Sequence, residues 1–252
     1  MKLGRKRPAQ RCKLSLRKYC PDPSVLPTPP PSIDYSLKAK TCLGLLFLND
    51  VLGCCVIAGG YHDVGLWTGN ATGLAFCATD ADIKADYGAI GGYVDGDPST
   101  DNGCDEQTAL AYWTQTGFRN GTKLGAYVGV DATNRLEVMT AVFCFETVFL
   151  GIELPVAWPI ATGVTWDVAG PADPSRGHCV VVVGYNDVGV IVSTWGGLNV
   201  ITWAALAMYC ADTSGGEIYA LLSPDEVSGA NAPNGFDYET LQSDIAALPP
   251  AA

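Results

Sequence analysis

The segment that most constrains the fold is Gly177-His178-Cys179-Val180-Val181-Val182-Val183-Gly184-Tyr185. A β-branched run of this kind reads as a buried strand. Asn186-Asp187 supplies a turn, and residues 189–194 return as a second strand, so the region is predicted to be a hairpin. His178 opens the buried strand, where an imidazole can project across a cleft toward another layer.

The other end of the chain has the opposite character. Residues 1–20 hold eight of the fifteen Lys and Arg side chains (Lys2, Arg5, Lys6, Arg7, Arg11, Lys13, Arg17, Lys18) and no acid. The chain carries −11 in all, so removing this +8 leaves −19 on the rest. Prolines at 21, 23, 27, 29, 30 and 31 favour extended polyproline II and forbid a helix. Residues 1–30 therefore read as an extended basic arm that cannot build a core alone and that seeks something anionic. Residues 31–225 read as the folded domain, and 226–252 as a tail with partial order at best.

Within that domain, residues 55–70 read as a buried helix with apolar or small residues at 55, 58, 59, 66 and 67 and with His62 on the same stripe. Gly59, Gly60 and Gly65 are its weak points. Residues 88–103 read as a Gly- and Asp-rich loop, 106–116 and 134–145 as helices, and 123–130 and 147–154 as strands. A helix over 202–210 and a closing strand over 217–222 complete an α+β pattern.

His62 and His178 are the only histidines, so an imidazole base must be one of them. His62 lies seven positions beyond Cys55, about 10 Å along a helix, and does not reach that thiol. His178 is the better partner. Cys55 follows Gly53-Cys54 at a predicted helix start, where unpaired N–H groups and the positive dipole end favour a thiolate. Asn49 has an amide suited to stabilising an oxyanion.

These residues fall in the order found in papain-like cysteine peptidases, which the chain resembles over most of residues 30–223. Pro31-Ser32-Ile33-Asp34-Tyr35 is similar to that family's entry segment. Asn49, Gly53 and Cys55 follow in the order of its oxyanion amide, glycine and nucleophile, and Asn102-Gly103-Cys104 is similar to its Asn-Gly-Cys loop. Residues 177–185 match its histidine strand, and Ser193-Thr194-Trp195-Gly196 is similar to its Asn-Ser-Trp-Gly turn. The resemblance implies a two-lobed papain-like fold, with a helical lobe and an antiparallel β lobe. It implies Cys55 as nucleophile, His178 as base, Asn49 as oxyanion donor and Ser193 as the group orienting the imidazole. Ser193 replaces an asparagine, Asn49 a longer glutamine and Val56 a tryptophan, while Leu52 stands where Cys104 would find its disulfide partner. Each change points to weakened activity.

Residues 48–53, 192–196 and 209–210 are also similar to papain-fold proteins encoded by bacteriophages and prophages. That likeness implies a virion protein made in the bacterial host cytoplasm, with the arm reaching neighbouring subunits of a viral particle. Two functions follow as expectations. The favoured one is a virion-associated structural or decoration protein with a degenerate site; the alternative is an active thiol hydrolase of peptide or isopeptide bonds.

The remaining features narrow the classes. No apolar core of a secretory signal follows the basic residues, and the most apolar stretch, 141–160, is interrupted by Glu146, Glu153, Pro155 and Pro159, so neither a signal peptide nor a membrane span is expected. Ten cysteines without paired CxxC spacing read as mostly free thiols in a reducing compartment. A Cys54–Cys55 bridge is disfavoured by geometry, Cys179 is expected to pack, and Cys12 and Cys20 could pair within or between arms. Asp95, Asp97, Asp101, Asp105 and Glu106 lack calcium-loop spacing and read as a solvated loop. No cofactor or metal is expected, and nucleic acid could bind only at the arm.

Overall fold

The computed structural model describes residues 1–8, 14–20, 22, 26–224 and 236–248. Its strands are β1 (Arg5–Lys6), β2 (Ile33–Asp34), β3 (Cys104–Asp105), β4 (Ala126–Gly129), β5 (Val148–Glu153), β6 (Thr165–Trp166), β7 (Gly177–Tyr185), β8 (Gly189–Thr194), β9 (Gly197–Thr202) and β10 (Glu217–Leu222). The helices used below are α1 (Leu16–Tyr19), α2 (Lys40–Leu43), α3 (Cys55–Thr72), α4 (Asp80–Gly91), α5 (Glu106–Gln115), α6 (Arg135–Phe145) and α7 (Trp203–Tyr209), with a last helix at Tyr238–Ala246.

The valine run is β7, and all nine of its residues are buried. It lies inside an eight-stranded sheet of order β4-β10-β5-β7-β8-β9-β6, with β2 pairing to the far end of β7. Every pairing is antiparallel except that of β6 with β9. Helices α2 to α5 form the second lobe, and α3 lies against β7. The glycines of α3 make this contact close. A Cβ on Gly59 would sit 2.8 Å from the Phe149 ring and 3.2 Å from Cys179 Sγ, and one on Gly60 would sit 2.7 Å from the Phe118 ring. What lowers helix propensity here permits helix-on-sheet packing.

Three differences from the sequence reading concern the elements around the body. Residues 88–91 are the last turn of α4, which a Thr79/Asp82 capping box starts and left-handed Gly92 ends. Beyond Thr194 the chain turns through Trp195 (φ 45°) and Gly196 (φ 75°) into an unanticipated strand, β9. Positive φ at both central residues suits a tight hairpin. Third, the tail carries the helix Tyr238–Ala246, which buries Leu241 and Ile245. Asp237 N–H donates to the Tyr19 carbonyl (2.7 Å), and Lys18 pairs with Asp244, so segments assigned to arm and tail hold each other.

No described helix is long and apolar enough to cross a membrane. All nine described cysteines are free thiols; Cys12 lies outside the described residues.

Candidate active site

Cys55 is the first residue of α3, and Cys54 ahead of it makes no side-chain cap. The free N–H groups and positive dipole end of an 18-residue helix therefore point at Cys55. His178 comes from β7, Asn49 from the loop before α3, and Thr194 and Trp195 from the β8–β9 turn. All five, with Ser193, line one small pocket of about 10 Å³, room for a single water at most.

His178 Nε2 lies 2.8 Å from Thr194 Oγ1, and its ring stacks on Trp195 with centroids 4.2 Å apart. Its Nδ1 has no hydrogen-bond partner. Ser193, the expected orienting residue, is buried with an unpartnered Oγ, and Thr194 holds the ring instead. Strand alternation gives the reason. Val181 pairs with Ser193, so Ser193 shares a face with Val181 while Thr194 shares the other face with His178. The alternation is legible in the sequence, but the pairing of Val181 with Ser193 that decides between the two residues comes only from the sheet register.

His62 also borders the cavity, but its Nε2 contacts the Leu45 carbonyl at 3.1 Å and its ring packs on Phe47. It is a core histidine. Among the described residues four non-glycines have positive φ: Phe47, Leu48, Glu146 and Trp195. Three of them flank the site, Phe47 and Leu48 presenting Asn49 and Trp195 covering His178. Such strain costs on the order of 1 kcal/mol per residue and persists where surrounding packing enforces it.

The cleft between the lobes is filled by the start of the chain. Lys2 N–H donates to the Asn49 carbonyl (2.8 Å), Gly4 N–H to the Gly177 carbonyl (3.1 Å), and Cys104 N–H to the Gly4 carbonyl (2.9 Å). Asn49 Nδ2 and Trp195 Nε1 both donate to the Lys2 carbonyl, at 3.3 and 3.4 Å. The amide expected to hold an oxyanion thus already holds a peptide carbonyl. From Arg5 the segment continues as β1, parallel to β3. The fit excludes side chains: a Cβ on Gly4 would lie 1.8 Å from the Gly53 carbonyl oxygen.

The basic residues of this segment find acids on the same chain. Lys2 pairs with Asp101 (2.6 Å), Arg5 with Glu217 (2.5 Å), and Arg7 makes a two-pronged pair with Glu153 (2.8 and 3.0 Å). The acids that read as a solvated loop have separate tasks. Asp95 pairs with Lys84, Asp97 caps a turn, Asp105 caps α5, Asp101 receives Lys2, and Glu106 is buried facing Arg5.

Burial pushes the Cys55 thiol up to about 11, despite backbone contacts from Cys179 and Gly4 that lower it. Burial likewise pushes His178 down to about 3. At neutral pH the pair is thiol and neutral imidazole. Asp101 lies below its ordinary value: burial alone would raise it, and hydrogen bonds from Lys2, Tyr87 and Gly53 outweigh that.

Solved structures share this architecture. Xylellain, a cysteine protease from Xylella fastidiosa, aligns with 88% of this chain and 96% of its own at 12% identity and a TM-score of 0.61. The ragweed pollen cysteine protease Amb a 11, in its proform, aligns with 78% of this chain and 66% of its own (14% identity, TM-score 0.54). The Carica candamarcensis cysteine protease CMS1MS2 aligns with 77% and 99% (15% identity, TM-score 0.50). No protein-family model and no curated protein matches the sequence. The fold is papain-like.

Proposed function

We propose that this chain is a cysteine hydrolase of peptide or isopeptide bonds whose cleft is closed by its own residues 2–6. The observation that carries this is the convergence of Cys55, His178, Asn49 and Thr194 on one cavity. An Nε2–H donated to Thr194 leaves the Nδ1 lone pair as the base. Nδ1 takes the Cys55 proton, sulfur bonds to the substrate carbonyl carbon, and Asn49 Nδ2 with the Cys55 N–H stabilises the oxyanion. The C–N bond then breaks, the leaving amine takes the proton from His178, and water releases the acid from the thioester.

In the closed state the segment occupies the substrate's place and keeps the pair uncharged. Gly4→Val should displace the segment, because its side chain collides with the Gly53 backbone, and it leaves Cys55, His178, Asn49 and Thr194 unaltered. The test is hydrolysis of a fluorogenic peptide mixture by Gly4→Val, with Gly4→Val/Cys55→Ala as control. Turnover that disappears with Cys55 supports the reading; none in either variant contradicts it.

A second reading keeps the fold without the chemistry, as a virion-associated protein whose residues 1–30 contact neighbouring subunits. The hydroxyl of Thr194 in place of an orienting amide and the filled cleft favour it. On this reading the Gly4→Val variant is inactive, and deleting residues 1–30 abolishes particle association.

A further inference from the structure

The side chain of Arg5 is fully buried, although its backbone belongs to a short segment laid over the body. Its Nε and Nη2 both donate to Glu217 Oε1 (3.1 and 2.5 Å), and Nη1 donates to the Gly215 carbonyl (2.7 Å). Glu217 is set in advance, because Tyr219 Oη donates to its other oxygen at 2.6 Å. A second buried carboxylate, Glu106, lies 3.8 Å from Arg5 Nε; the buried Cys179 thiol is the only other neighbour that favours its charged form, so Arg5 is the one cation it faces among the described residues. Gly151 leaves the space: a Cβ there would meet Arg5 Nε at 2.5 Å and Glu106 Oε1 at 2.7 Å.

We infer that this pocket is a guanidinium-binding subsite of the body, which takes the arginine of a peptide substrate when residues 2–6 leave the cleft. Three N–H donors are matched by one carboxylate oxygen and one carbonyl, a planar pattern that an ammonium cannot reproduce. Two facing buried carboxylates without a cation are costly, so the emptied pocket favours a cationic replacement. The subsite lies one residue along from Gly4, whose backbone contacts Cys55, so it selects the residue next to the reacting bond. The consequence for cleavage rests on the hydrolase reading above; the binding does not.

The test uses the full chain as Gly4→Val/Cys55→Ala, which has an opened cleft and no nucleophile. A fluorescent peptide of residues 2–7 is titrated by anisotropy against versions carrying citrulline or lysine at the Arg5 position. Citrulline should weaken binding at least about 30-fold and lysine about tenfold. Glu217→Gln on the body should remove the preference. Gly151→Ala, which fills the space beside Arg5 Nε, is the second variant should Glu217→Gln not fold. Arginine and citrulline peptides bound within threefold, a preference that survives both body variants, or no binding of any peptide would overturn the inference. Arginine-selective binding without turnover in Gly4→Val would retain the subsite and reject the hydrolase. Turnover without arginine selectivity would do the reverse.

Discussion

The two halves of the site are held by different forces. His178 and Thr194 sit on β7 and β8, where Val180, Val181, Val182 and Val192 are all within 1% of full burial and β5 covers one edge. Residues 2–8 contribute little apolar surface and are held by backbone pairing and by Lys2, Arg5 and Arg7 on body carboxylates. Apolar packing unfolds only with the whole domain, whereas a segment fastened by ion pairs and a few edge hydrogen bonds can leave by itself. A rigid site with a removable filling is the result.

The first way to break this contrast is to weaken each half separately. Phe149→Ala, against α3, should cost about 3–5 kcal/mol in urea unfolding, with amide exchange at Val181 and Gly4 accelerating together. Arg5→Ala leaves Glu106 and Glu217 without their cation and should cost about 3 kcal/mol, but only locally. Exchange at Gly4 should then rise at least a hundredfold while Val181 is unchanged. Equal acceleration at both would show that the segment is part of the core.

What could be read in advance divides along the same line. The valine run and the glycine-containing helix 55–70 follow from patterning, because apolar periodicity reports packing directly; that Cys55 and His178 line one pocket is what the papain-like motif order implies. The shift from Ser193 to Thr194 needed the β7–β8 register, which no motif states. The fate of residues 1–8 was hidden for another reason. Their composition reads as a segment that builds no core by itself, but their acids are Asp101, Glu153 and Glu217, scattered through the sequence and brought together only by the fold.

Smaller effects sharpen the comparison. Thr194→Val removes one hydrogen bond to the imidazole, worth about 1 kcal/mol. In the Gly4→Val background it should lower kcat about fivefold with little change in KM, whereas Ser193→Ala should leave kcat within about twofold. The weakest effect is that of pH on the filling. Because Asp101 is held below its ordinary 3.8, its contribution is fully present above that value and is lost as pH falls through its lowered value. Lys2 is half exposed, so the loss is under about 1 kcal/mol, seen as faster exchange at Gly4 below about pH 4.

The most direct measurement is the iodoacetamide alkylation rate of Cys55 at pH 7, mapped by mass spectrometry in the unaltered chain and in Gly4→Val, with the neighbouring Cys54 as internal reference. With the thiol at about 11 in the closed form, release of the segment should speed Cys55 at least about a hundredfold and Cys54 far less. Equal Cys55 rates in the two proteins, or equal acceleration of both thiols, would contradict the account.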